Sequence, residues 1–420
     1  MAEMTILSAS ATSTIGWRWV VLAVCLGAWT LTNVDQSLFS YALPGILQSF
    51  HLPLEAAGVV IAVSFVCSCA LVIVAGLLAD RFGRGLMLCL LLGSSAVFVG
   101  LQGLAGGILI LTLFRAMGFG LSGGLSPITN ALTVENAPDR LRGISMGVLQ
   151  CGYPLGWLLA SLVAAPLLRD YGWRAACFAA LGVVPLALLL GLLVRRLDSG
   201  QLTERRSRPA PAAGQGDRPG VARLFAPDLR RLSVACILTF FLFGGAYAGS
   251  AFFFPTYFAQ VKGYSPADAA SLVGLSNGIA VFGYLGAALA GEYLLRRRTV
   301  FILWTVGGAL SLLGLLWASR SHASDLAWFS AMATLFYGAM AVLPVLVAEL
   351  FDQEVRATAL GVCASAPLGL GFAVFPLITP LMVDRLGWPV GLSLLVVPLM
   401  GIGLVAAAFL PNRRSGLPIS

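Results

Sequence analysis

The sequence predicts an all-α membrane protein of twelve spanning helices in two six-helix bundles related by a pseudo-two-fold axis along the membrane normal. Three observations carry this expectation. Hydrophobic residues fill 59% of the 420 positions and charged residues only 10%, with a mean hydropathy of +0.91, far from the balance of a water-soluble domain. Apolar runs of roughly 20 residues, the length that crosses a hydrocarbon core, recur along the chain. The two sides of the sequence also repeat each other.

The spans are read at 18 to 42, 55 to 79, 85 to 104, 108 to 134, 143 to 165, 173 to 194, 232 to 256, 267 to 291, 299 to 318, 326 to 348, 357 to 380 and 388 to 410. Of the 26 Arg and Lys residues, 20 fall on one side of this arrangement, among them Arg18, Arg81, Arg84, Arg140, Arg142, Arg296 to Arg298, Arg356, Arg413 and Arg414. Basic residues gather on the cytoplasmic side of a bilayer, so both termini are expected inside. The formal charge of +8 thus marks a membrane face and argues against nucleic-acid binding. The first 16 residues lack a basic stretch and cleavage site, and the first apolar run is too long for a secretory signal; it is read as a retained helix.

Residues 195 to 231 are rich in Arg, Pro and Ala and read as a cytoplasmic linker between bundles at 1-194 and 232-420. Glu135, Arg142 and Gly147 recur as Glu349, Arg356 and Gly361 at an offset of 214, and RDYGW (169 to 173) recurs as DRLGW (384 to 388). The Gly76 to Arg84 loop has a degenerate counterpart at Gly291 to Arg298. A six-span repeat keeps its membrane orientation in both copies, which suits a central cavity opened alternately to each side.

No phosphate-cradling loop, metal-ligand spacing or Ser-His-Asp arrangement stands out, so neither an enzyme nor a cofactor or metal site is expected. The eight cysteines lie in or beside apolar runs and suggest no disulfide framework. His51 and His322 fall in loops without ligand-bearing neighbours. Two charges do stand inside spans: Asp35 in the first and Arg115 in the fourth. Charge in hydrocarbon is expensive and marks a candidate site. Arg115 lies about 10 Å below the outer face and Asp35 about 13 Å, counting 1.5 Å per residue from the span start and from Pro44. A guanidinium offers a fork to an organic carboxylate, while an aspartate can carry a coupled proton. The alternatives are a permanent Asp35–Arg115 ion pair and an Arg115 side chain reaching the outer surface.

Polar neighbours on the first helix, Asn33 and Gln36, and Gln150 and Tyr153 on the fifth are candidate cavity residues or interhelical contacts. Tyr247, Asn277 and Tyr337 are candidates for the facing wall, in a half without charge at a span centre. Glu135 and Glu349, beside Arg140, Arg142 and Arg356, read as conformational salt bridges.

The loop GLLADRFGR, with Gly76, Asp80, Arg81, Gly83 and Arg84, resembles the signature between the second and third helices of the major facilitator superfamily. That resemblance spans nearly the whole chain and implies a monomeric secondary transporter working by alternating access, with this loop helping to close the inner face. The stretch PDRLRGISMGVLQCGYPLGWLLASLV, with Gln150, Gly152, Tyr153 and Gly156, resembles the proton-coupled sialate and monocarboxylate symporters of the superfamily. It implies symport of a small organic anion with protons across a bacterial inner membrane. The first helix, TNVDQSLFSYALP, lacks the Asp-Gly-Tyr or Asp-Gly-Phe start typical of aromatic-acid and sialate carriers. A proton-driven exporter of drugs or metabolites is the alternative, although the fifth helix lacks the exporters' Gly-Pro pair.

Overall fold

The computed structural model describes residues 2–138, 141–194 and 220–411; the side chains of residues 2–17 and of Asp80, Gln353 and Ala357 lie outside that description, as do Arg140 and most of the expected linker. The described residues form helices α1 Ala2–Ser49, α2 Leu54–Phe82, α3 Arg84–Leu104, α4 Ile108–Asn136, α5 Arg142–Asp170, α6 Trp173–Val194, α7 Arg230–Ala251, α8 Pro266–Leu294, α9 Arg297–Ala318, α10 His322–Leu350, α11 Glu354–Leu386 and α12 Trp388–Ala408. Eleven of these, α2 to α12, are long and apolar enough to cross a membrane. The first expected span lies inside α1, where the polar stretch Thr30 to Gln36 interrupts the apolar run. Only helices satisfy every backbone polar group within one segment in lipid, which is why the apolar runs fold this way. Two hydroxyls of α1 are satisfied locally: Thr32 donates to the Ala28 carbonyl at 2.9 Å and Ser37 to that of Asn33 at 2.8 Å.

Pro44 does not end α1, as the depth estimate for Asp35 supposed; the helix runs on to Ser49. The other expected spans match single helices, with ends displaced by a few residues.

The halves meet along two seams. α5 packs along α8, and α2 along α11. A repeat that exchanges α2 with α8 and α5 with α11 turns one seam into the other, as a two-fold axis between the halves requires. The repeat is visible in backbone detail as well. Gly172 and Gly387, the glycines of RDYGW and DRLGW, sit at φ 78° and 75°, a left-handed conformation that only glycine adopts freely.

Small residues set the spacing within the N-terminal half. A Cβ on Gly156 of α5 would stand 2.5 Å from the Asn33 Cβ and 2.6 Å from the Thr30 carbonyl oxygen of α1, so the helices touch backbone to backbone, as small residues allow in membranes. Gly156→Val should lower stability by about 1–3 kcal/mol through overpacking, read as a lower thermal midpoint of the purified protein in detergent. An unchanged midpoint would show that this seam is loosely packed.

Candidate functional site

Asp35 and Arg115 are each only 1% exposed. Arg115 therefore does not reach the outer surface. The two also make no ion pair among the described residues. The Asp35 Oδ2 instead accepts a hydrogen bond from the Ser95 hydroxyl of α3 at 3.0 Å. The Arg115 guanidinium lies over the rings of Phe39 and Phe119, 4.4 Å and 4.8 Å from their centroids, and its Nη2 makes one long bond, 3.5 Å, to the Gln36 carbonyl. Its Nε and Nη1 and the Asp35 Oδ1 have no hydrogen-bond partner. Two cation–π contacts contribute about 0.5–2 kcal/mol each, which falls short of the several kcal/mol that burying a charge costs. The guanidinium is held in place with its donors unspent.

From Arg115 a run of rings leads to the other half. Phe119 contacts Phe65 at 4.6 Å between centroids; Phe65 meets Phe252 at 5.7 Å and Phe372 at 5.0 Å. Phe252 meets Trp157 at 6.2 Å, Trp157 meets Tyr153 at 5.9 Å, and Tyr153 meets Tyr247 at 5.7 Å. Tyr247 reaches Tyr337 at 4.7 Å. Around the far end of this run Tyr153 lies within hydrogen-bonding reach of Tyr247 and Trp157, while the Tyr337 Oη is buried without a partner; on α8 the Asn277 Oδ1 is likewise buried without one. Buried polar atoms are seldom left unpaired.

The predicted residues thus separate. Tyr153, Tyr247 and Tyr337 share one aromatic cluster. Gln150 is half-buried one turn below Tyr153. Gln36 faces α4, its amide 3.4 Å from the Ser122 hydroxyl. Asn33 packs in the α1–α5 seam against Gly156 and donates to the Trp29 carbonyl, and its Oδ1 is buried without a partner.

Among the described residues, which do not include Arg140, the two glutamates pair with the arginines that begin α3 and α9. Glu135 takes both arms of Arg84, one at 2.9 Å, and Glu349 pairs with Arg297 at 2.8 Å; Arg356 donates instead to the Phe351 carbonyl and Arg142 to that of Val134. Arg84 and Arg297 begin α3 and α9, so these pairs are repeat equivalents. Arg297 also binds Glu292 at 2.6 Å, and a Cβ on Gly143 of α5 would stand 2.5 Å from that carboxylate, which places the network against the opposite half. In the signature loop, Gly83 makes the turn at φ 92° and Arg81 lies over Phe82. A Cβ on Gly76 would meet nothing within 4 Å, so close helix approach is not the reason for glycine there.

Sequence reading missed Trp157 and a buried cluster in the C-terminal half. Asp325, 2% exposed, pairs with Lys262 at 2.9 Å and accepts from Tyr264 and Ser319 at 2.6 Å each. Burial first, and then the hydrogen bond to and charge of Asp325, hold the Tyr264 phenol well above its ordinary range. The signal was the run of Ser319, Ser321, Ser324 and Asp325 at a span edge, with Lys262 in the α7–α8 segment on the same face.

Residues 25–366 match the model of the Major Facilitator Superfamily, and the chain belongs to that family; it is a membrane transporter, not an enzyme. The chain is 29% identical to the 3-(3-hydroxy-phenyl)propionate transporter of Escherichia coli strain K12 over 94% of each chain. It is 25% identical to the cis,cis-muconate transport protein of Acinetobacter baylyi over 95% of each. A bacterial homolog of the human lysosomal transporter Spinster, solved in an inward-facing and occupied conformation, shares the fold with a TM-score of 0.69 at 17% identity, covering 94% of this chain and 96% of that one.

Removing either carboxylate from the Arg297 network should change turnover rather than affinity, because the network touches the opposite half and not the aromatic run. For Glu349→Gln we expect a several-fold change in transport rate with ligand affinity held within about twofold. Matched uptake and tryptophan-quenching titrations check this, and a large loss of affinity would contradict it.

Proposed function

We propose that this transporter is a proton-coupled symporter of small carboxylates carrying an aromatic ring or conjugated chain, in a bacterial inner membrane with its basic face toward the cytoplasm. The observation that carries the reading is the buried Arg115 guanidinium, without a carboxylate partner, at one end of a run of aromatic rings that crosses both halves. A carboxylate on Arg115 would supply the missing counter-charge, and the flat faces of Phe119, Phe65 and Trp157 suit a planar ligand. The unpartnered Tyr337 phenol, with Tyr153 and Trp157 in the same aromatic cluster, would take an oxygen at its far end, and Asn277 is assigned to the facing wall. Tyr247 closes the wall between them, and Asp35 is assigned the coupled proton.

The relatives support the same class. One is named for a ring-bearing propionate and the other for an unsaturated diacid, although the first helix here lacks the Asp-Gly-Tyr or Asp-Gly-Phe start. That motif is therefore a poor divider between this chain and such carriers. Gating is assigned to Arg84–Glu135 and Arg297–Glu349, with Gly76, Asp80, Arg81 and Gly83 in the signature loop and Arg142 and Arg356 as their neighbours. A single chain contains the whole proposed site.

Uptake into proteoliposomes of lactate, sialate, benzoate, 4-hydroxybenzoate and a cationic drug, with internal pH recorded, tests the reading. Aromatic carboxylates should enter with protons. Drug movement opposed to protons would replace the proposal with the exporter alternative. Arg115→Gln should weaken 4-hydroxybenzoate binding by about 10- to 100-fold, the worth of charge-assisted hydrogen bonds. Asp35→Asn should keep exchange of substrate but lose its accumulation by a pH gradient.

A further inference from the structure

Asp35 is turned away from the aromatic run. On α1, Tyr41 donates to the Trp157 carbonyl at 2.8 Å and Asn33 packs on Gly156, so this face looks toward α5. Asp35, two residues after Asn33, falls on roughly the opposite side of the helix and bonds to Ser95 of α3. Seven residues further along α3, two turns and about 10 Å toward the face opposite the basic one, lies Gln102. It is fully buried, and neither its Oε1 nor its Nε2 has a partner. An unsatisfied buried amide costs about 1–3 kcal/mol, which packing alone does not explain.

Above Gln102 the first turn of α6 closes the end of the bundle. Arg174 donates to the Ala105 carbonyl at 3.3 Å, and a Cβ on Gly103 would stand 2.9 Å from the Arg174 carbonyl oxygen. Cys177, buried on the same turn, lies within electrostatic range of both Arg174 and Arg115. The orphaned atoms of Gln102 and Asp35 thus lie on the α3 side of α1, in the interior of the N-terminal half, whereas Arg115 lies over Phe39 and Phe119 at the end of the aromatic run. The charged and titratable groups facing Asp35 here are Arg115 from α4 and, beyond it, Cys177 and Arg174 from α6; α3 contributes Ser95 and Gln102, which do not titrate.

Resting on the symport reading, we propose that the proton reaches Asp35 through this column between α1, α3 and α6, by water hydrogen-bonded to the Gln102 amide, and not along the substrate route. Buried water makes about three hydrogen bonds to polar groups that otherwise lack them, and the orphaned atoms supply such sites. A proton passed along this water is taken by the Asp35 Oδ1, giving the neutral acid while Ser95 continues to donate to Oδ2. The Arg115 charge opposes an excess proton in the column until a substrate carboxylate neutralises it. Substrate binding then favours protonation of Asp35 and protonation favours substrate binding, the reciprocity that coupling needs.

The test uses the full chain in proteoliposomes with 4-hydroxybenzoate as probe. Gln102→Leu, close in size and apolar, should slow pH-driven uptake and the accompanying proton movement by about tenfold or more while leaving exchange at equal pH within about twofold. Retained exchange shows that the variant is folded, and Gln102→Asn should recover much of the coupling. Normal proton movement in Gln102→Leu overturns the column and leaves symport standing. Probe exchange without proton movement in the wild type overturns symport itself, and the column with it.

Discussion

A guanidinium buried without a carboxylate partner is the constraint around which the N-terminal half is arranged. Phe39 and Phe119 fix its plane, the Gln36 carbonyl takes one long bond, and Asp35 is engaged elsewhere by Ser95. A permanent Asp35–Arg115 pair would have satisfied both charges and left neither available. Keeping them apart leaves a cation able to receive an anion and an acid able to receive a proton, in neighbouring but separate surroundings. A transporter that must bind a charged cargo and release it again needs such reversible neutralisation more than it needs a stable ion pair.

The two halves divide the remaining work through their repeat. The Arg84–Glu135 and Arg297–Glu349 pairs occupy equivalent places at the starts of α3 and α9, and the Glu292 carboxylate lies against the start of α5 in the other half. Lys262, Tyr264 and Asp325 tie the segment before α8 to the first turn of α10 on the opposite face. Rigid units with charged contacts at their ends and aromatic contacts between them are suited to rocking about a central site.

Much of this was legible in the sequence where it depends on local pattern. Span length, basic-residue asymmetry and the 214-residue offset report the fold because hydrophobic transfer, membrane charge and gene-scale repetition leave one-dimensional traces. Arg115, Asp35, Tyr153, Tyr247 and Tyr337 stood out as polar groups in apolar runs, and the structure buries them or rings them with aromatics. What was illegible depends on contacts between distant residues. Glu135 pairs with Arg84, 51 residues away, rather than with nearby Arg142. Pro44, which reads as a helix end, lies inside α1, which runs on to Ser49. Gln102 lay at the edge of a span, where a polar side chain is ordinary, and its lack of partners emerges only when α6 closes over it. Asn33 shared the polar stripe of α1 yet faces α5, since helical phase divides a stripe between neighbours.

The most direct measurement is the affinity of the purified wild-type protein for 4-hydroxybenzoate against 4-hydroxybenzamide, two ligands of nearly equal shape that differ in charge. If the buried Arg115 is the anion-recognising group, the acid binds more tightly by about tenfold or more, the worth of charge-assisted hydrogen bonds to a guanidinium. Equal affinity for the two would contradict the account, because it would mean that the unpaired cation takes no part in choosing the cargo.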